Sequence, residues 1–304
     1  MSSASLNTKR TSFVEFFAER AIRASGFVAI AFVVLIFLFL LLEGLPAVSE
    51  VSISNLLSTR WYPTESHFGL LPLILGSVLV TLGAAIIAVP TGVLAAIFVA
   101  EVAPRWLREI LKPMIEVVAG IPSVVLGFIG MIALSPLVRE AFNVPTGLTA
   151  FTGALILAYM ALPTIISVAE DALDAVPKSY RDAALALGAT RWQTIWMVTV
   201  KAARSGILTA IMLGIGRAIG ETMAVMMVTG NAARMPLSLD SLFMPARTMT
   251  ATIAAEMGEV AQGSTHFHVL FMIGIVLFVI TFIVNFVASI AIFRQTRRSA
   301  RLLS

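Results

Sequence analysis

Six runs of apolar residues, separated by short polar or charged segments, organise the chain. A helix needs about 20 apolar residues to cross about 30 Å of hydrocarbon. Runs of that kind fall at about 24–43, 70–99, 114–138, 148–168, 205–229 and 268–292. The pattern predicts an all-α membrane protein with six transmembrane helices. The first run follows a basic, Ser-rich leader and ends in Glu43-Gly44-Leu45-Pro46. A signal peptide has a shorter apolar core and a small-residue cleavage site, so this run reads as an uncleaved anchor. Pro90 predicts a kink in the second run, and Pro122 predicts a break or bend in the third, at Gly120-Ile121-Pro122-Ser123.

Basic residues are distributed unevenly between the runs. The N-terminal segment holds Lys9, Arg10, Arg20 and Arg23; segment 100–113 holds Arg105, Arg108 and Lys112. Segment 169–204 holds Lys178, Arg181, Arg191, Lys201 and Arg204, and the tail holds Arg294, Arg297, Arg298 and Arg301. The alternate segments hold Arg60, Arg139, Arg234 and Arg247, a division of 16 against 4. Lys and Arg accumulate on the cytoplasmic side, so residues 1–23 and the tail 294–304 are both expected there.

Two connecting segments are long enough to hold structure of their own. Segment 169–204 predicts two short amphipathic helices. One starts near Pro177 and stops at Gly188; the other starts at Thr190, with Gln193 three residues later completing a capping box. The second helix sets Trp192, Ile195, Trp196 and Thr199 on one side. Segment 230–267 is expected outside, with a helical stretch from Thr250 to Val260 that either re-enters the membrane or caps the pore.

Composition supports this picture and removes several function classes. The 304 residues are 59% hydrophobic and 12% charged, about half the charge of a soluble domain. The net charge of +4 forms no basic face, which argues against nucleic acid. Cysteine is absent, so no disulfide or thiolate site exists. His67, His266 and His268 form no metal pattern, and no cofactor is expected on this chain. No Gly-x-x-x-x-Gly-Lys-[Ser/Thr] loop is present, so ATP must act on another subunit. No catalytic set occurs at useful spacing, so the chain is not expected to be an enzyme.

The chemistry concentrates in two places. The stretch Tyr180-Arg181-Asp182-Ala183-Ala184, through Gly188, to Thr190-Arg191-Trp192 makes a compact helix–Gly–helix knob. Its small residues let another surface approach closely; the plain alternative is an ordinary loop between spans. Arg217 is the one basic residue inside a run. An ionised side chain at mid-bilayer costs about 2.5–3.5 kcal/mol on insertion scales and marks a function by default. Glu221 follows at the helical spacing of four, which predicts a pair on one face, with Gly214, Gly216 and Gly220 leaving room beside it. A guanidinium holds two oxyanion oxygens at once in fork geometry. Arg217 therefore reads as an anion guide, with Glu221 positioning it; the alternative is a pair that only fixes helix packing. Ser123 and Thr222 are further candidate donors to the solute, although hydroxyls in spans mostly bond their own backbone.

The Asp182-Ala183-Ala184 and Gly188 pattern resembles the EAA loop of ABC importer permeases, with Asp for Glu. Four further stretches resemble the phosphate (Pst) permeases of the PstC type: Trp61-Tyr62-Pro63 with Phe68-Gly69-Leu70; Gly120 to Phe128; Gly216 to Ala224; and Ala251 to Glu259 followed by His268. The resemblance runs from about residue 20 to 295. It implies the type I ABC importer permease fold in a bacterial inner membrane and transport of inorganic phosphate. It implies a heterodimeric pore with a PstA-like permease, two PstB-like ATPases that bind the ATP, and a periplasmic PstS-like phosphate-binding protein. It implies that Tyr180, Asp182, Ala183, Ala184, Gly188, Thr190 and Trp192 dock on the ATPase, and that Arg217 and Glu221 are needed for transport; Thr222 and Ser123 stay candidate pathway donors on their own chemistry alone. Rival readings are a permease for sulfate, molybdate or phosphonate, a secondary anion transporter, and a membrane sensor of phosphate.

Overall fold

The computed structural model describes residues 4–301, and the side chains of residues 15–292 apart from Leu239 and Ala291. The side chains of Lys9 and Arg10 and of the tail arginines lie outside the described residues. Six described helices are long and apolar enough to cross a membrane: Glu15–Glu50, Leu71–Val102, Ser123–Phe142, Ala150–Asp174, Arg191–Gly220 and Thr265–Ile290, here spans 1 to 6.

Spans 2, 4 and 5 form the centre, with span 4 between the other two. Lipid tails are as apolar as leucine, so close van der Waals packing, not apolar burial, holds such helices together. Small residues supply it. Ile165 of span 4 is fully buried between Gly92 of span 2 and Gly214 of span 5. Gly83 faces Ala154, and Gly206 faces Ala172 so tightly that a Cβ would come within 2.3 Å of the alanine methyl. Spans 1 and 6 pair through stacked Phe37 and Phe278 and through Phe39 against the edge of Phe271, and span 6 also packs on span 5. Span 3 packs through Gly127 and Gly130 onto the short helix Met223–Val228.

At one end of the bundle, Trp61–Tyr62 and His67–Phe68 form a small antiparallel hairpin, β1 and β2, in the register Trp61 to Phe68. Helix Met249–Glu256 lies at the same end. Its N-cap Thr248 accepts from Ala251 N, and Met249 to Thr252 are buried. This segment is part of the bundle's packing, not a loop around it. At the other end lie an amphipathic helix, Arg105–Ala119, and the segment between spans 4 and 5.

Three boundaries differ from the sequence reading. Residues 114–119 belong to Arg105–Ala119, and the third span starts at Ser123, because Gly120 to Pro122 break the chain completely. The expected second amphipathic helix is the first part of span 5, joined to it through the π-helical segment Ile195–Thr199. Span 5 ends at Gly220, not 229; Glu221 is extended (φ −69°, ψ 132°) and a new short helix follows. Three stretches, Phe98–Val102, Gly130–Leu134 and Ile195–Thr199, are π-helical.

Candidate functional site

The break in span 5 decides the geometry around Arg217. The arginine sits in the last turn of Val200–Gly220 with an exposed side chain. Its Nη1 donates to Thr164 Oγ1 of span 4 at 3.3 Å. Glu221 lies beyond the helix end, so the four-residue spacing does not stack the two side chains, and no ion pair joins them among the described residues. The Glu221 carboxylate turns forward instead: Oε1 accepts from Ala224 N at 3.2 Å, at the start of Met223–Val228. A carboxylate there meets unpaired N–H groups and the positive end of the helix. The Glu221 carbonyl accepts from Thr250 Oγ1 at 2.9 Å, which ties the break to the buried end of Met249–Glu256.

Thr222 donates to the carbonyl of Gly220 at 3.2 Å, the local backbone bond expected of a hydroxyl in a span. Ser123 is the first residue of its helix and half-buried. Its helix abuts Met223–Val228, where a Cβ on Gly127 would meet Ala224. The structure thus brings Arg217, Glu221 and Thr222 into one broken stretch and places Ser123 on the neighbouring span.

The segment between spans 4 and 5 is built by its own local signals. Pro177 precedes helix Lys178–Ala186. Gly188 N donates to Leu185 O and Ala189 N to Ala184 O, a Schellman closure that puts Gly188 at φ +84°. The capping box is present: Gln193 N donates to Thr190 Oγ1 at 3.2 Å, and Thr190 N to Gln193 Oε1 at 2.9 Å. Tyr180, Asp182, Ala183, Gly188, Thr190 and Trp192 are all exposed, and Ala184 is half-buried. They lie in one segment at the end of the bundle, with Asp182 turned toward the cleft that Glu101, Arg108 and Asp174 line.

Three charge clusters were not anticipated from the sequence. Buried Glu170 of span 4 takes Arg108 at 2.6 Å and Lys112 at 3.0 Å, both from helix Arg105–Ala119; Asp174 and Asp171 pair with the same two cations. Hydrogen bonding to Glu170, ahead of that to Asp171 and the attraction of both charges, holds the Lys112 ammonium above its ordinary range. Glu101 pairs with Arg181 at 2.6 Å. At the opposite end, Glu256 gathers Arg247 at 2.6 Å, His266 at 2.8 Å and the Trp61 indole at 3.1 Å. It joins helix Met249–Glu256 to the hairpin and to span 6, as a structural junction. The available signal was an i,i+4 pair, Arg108 and Lys112, opposite three carboxylates at one span end.

The broken span, the bundle and the outward knob match a known architecture. The model of the binding-protein-dependent transport system inner membrane component covers residues 88–298. The chain belongs to this family. It is a multi-pass inner-membrane permease of an ABC transporter, and not itself an ATPase. Family membership brings with it an ATPase and a binding protein as partners. Among curated relatives, the chain is 43% identical over 267 residues to a probable ABC transporter permease protein, YqgH, of Bacillus subtilis, covering 86% of this chain and 85% of that one. It is 34% identical over 302 residues to the phosphate transport system permease protein PstC of Xylella fastidiosa, covering 93% and 91%. PstC of Mesorhizobium japonicum is 38% identical over 272 residues, covering 83% and 82%. The fold resembles that of a bacterial alginate ABC transporter with a TM-score of 0.59 at 15% identity, over 94% of this permease and 95% of that chain. It also resembles the inward-facing MetNI methionine transporter with a TM-score of 0.60 at 16% identity, over 78% and 99%. The chain thus has the type I ABC importer permease fold, with six helices long and apolar enough to span the membrane.

Proposed function

We propose that this permease moves inorganic phosphate inward, with Arg217 as the pathway cation. The carrying observation is an exposed guanidinium at the broken end of span 5, in a chain whose relatives include several phosphate permeases. Thr164 takes one hydrogen bond from it, and among the described residues the other donors of the fork have no partner and can meet an oxyanion. Glu221 serves the break rather than the arginine: it caps the next helix and leaves Arg217 charge-competent for a passing anion.

In this reading the leader and the tail are cytoplasmic, as the asymmetry of Lys and Arg supports. The outward surface from Tyr180 to Trp192 docks on the ATPase, and the hairpin end faces the periplasmic binding protein. The pore is completed by a PstA-like permease, and two PstB-like ATPases bind the ATP while this chain carries no cofactor. A PstS-like protein delivers the phosphate.

The deciding experiment is radiolabelled phosphate uptake by the reconstituted complex. Arg217→Gln is expected to abolish most uptake while the complex still assembles. Arg217→Lys keeps the charge but not the fork and is expected to retain only part of it. Uptake untouched by Arg217→Gln would remove the pathway role. Sulfate or molybdate competing as well as phosphate would remove the substrate assignment.

A further inference from the structure

The docking helix Lys178–Ala186 is tied to the bundle through polar contacts of one side chain, Arg181. Helix Lys178–Ala186 has no fully buried residue, so apolar packing contributes little to its attachment. Arg181 is, with Ala184, turned inward from this helix: its side chain is 20% exposed, between exposed Tyr180 and Asp182. Its Nε and Nη2 donate to Glu101 Oε1 at 3.1 and 2.6 Å. Its Nη1 donates to Val176 O at 2.6 Å, and Nη2 also to Leu173 O at 2.9 Å. Those carbonyls lie at and just beyond the C-terminal end of span 4, where a cation is favoured; Leu173 O also accepts from Val176 N at 3.3 Å. One guanidinium therefore links three elements: its own helix, the end of span 4 and the end of span 2.

The surroundings of this link are not those of a rigid block. Glu101 stands in the π-helical segment Phe98–Val102, closed by Ala103 N to Phe98 O. The segment that leads from the docking surface into span 5, Ile195–Thr199, is π-helical too, and buries Trp196 Nε1 and Thr199 Oγ1 without hydrogen-bond partners among the described residues. Single π-helical turns inside longer helices are frequent at functional sites. A cavity of about 390 Å³, lined in part by Glu101, Arg108, Asp174, Arg181 and Asp182, lies against the link. The docking helix thus has space beside it and a fixed joint within it.

We propose that the Arg181–Glu101 pair is the strut that carries motion of the docked segment into spans 2 and 4, so that Arg181 positions the spans instead of contacting the ATPase. The inference rests on the docking reading of residues 180–192. A lysine cannot replace it, because a single ammonium lacks the fixed fork that reaches a carboxylate and two carbonyls together.

The test uses the complete complex in proteoliposomes, with phosphate uptake and ATP hydrolysis measured on the same preparation. Glu101→Ala and Arg181→Lys are expected to lower the phosphate moved per ATP hydrolysed by about tenfold, the loss of one charge-assisted link. The ATPase should still co-purify, and Glu101→Asp should recover most of the ratio. An unchanged ratio in Glu101→Ala overturns the strut. So does a loss of uptake that only tracks the amount of complex assembled. Gly188→Val reports on docking separately: full co-purification of the ATPase with that variant counts against the docking reading.

Discussion

Glu170 and Arg108 meet at the end of span 4, with Oε1 of the carboxylate 2.6 Å from Nη2 and 3.1 Å from Nε of the guanidinium. The carboxylate is 2% exposed while the arginine is 30% exposed. A buried charge of this kind is worth most when both partners remain. Glu170→Ala strands two cations that keep only Asp171 and Asp174, and is expected to cost about 2–3 kcal/mol. Glu170→Gln keeps an acceptor and should lose less. Thermal unfolding of the detergent-solubilised permease measures both, and equal midpoints for Glu170→Ala and the parent would show that helix Arg105–Ala119 does not depend on this anchor.

Lys112 sets the pH behaviour of the same anchor. Folding raises its pKa above the ordinary 10.5, chiefly through the hydrogen bond to Glu170. The folded state therefore holds the proton more tightly than the unfolded one, and this contribution is complete below the unfolded value. It is lost as pH rises through the raised folded value. Between about pH 7 and about pH 9 the difference in unfolding midpoint between the parent and Lys112→Met should stay constant, and it should shrink only in stronger alkali. A difference that already collapses by about pH 8 would contradict the assignment.

Glu221 is expected to behave as a cap. Its carboxylate takes Ala224 N at the start of a six-residue helix. Glu221→Ala should cost about 1 kcal/mol of stability, the usual loss of a helix N-terminal acceptor. Glu221→Gln keeps an oxygen in place and should lose clearly less. Equal losses in the two variants would point to the charge itself, and so to the pairing with Arg217 that the broken helix argues against.

The six spans were legible because each is an apolar run, and the knob was legible because capping and turn chemistry are local. Thr190 with Gln193 and the turn at Gly188 needed no tertiary information. The start of span 5 was hidden because Lys201 and Arg204 interrupt its apolar run, although the helix continues through them. The start of span 3 was misplaced because Met114 to Ala119, apolar apart from Glu116, run on without a gap into the apolar residues of span 3, although they end an amphipathic helix that starts at Arg105. The Arg217–Glu221 pairing assumed a helix that continues past Gly220; the tie to Thr250, far along the chain, is a tertiary fact. Glu170 escaped notice because its partners lie 62 and 58 residues upstream, and pairing at that distance has no periodic signature.

Gly188 provides the sharpest test of the docking surface, because its requirement is purely conformational. At φ +84° it occupies the left-handed region, and no atom lies within 4 Å of where a Cβ would stand. Sterics with the rest of the chain are therefore irrelevant, and the cost of a side chain is backbone strain of about 1–2 kcal/mol. Asn adopts this conformation most readily among the other residues, so Gly188→Asn is expected to leave the turn and ATPase association nearly intact. Gly188→Val, β-branched and poorly suited to positive φ, should open the Schellman closure and swing Thr190 and Trp192 away from Asp182 and Ala183. Co-purification of the ATPase with the two variants reads the outcome. Loss with Val and retention with Asn identifies the turn as the determinant. Loss with both would instead mean that the partner needs the bare backbone at Gly188, and retention with both would separate the turn from docking altogether.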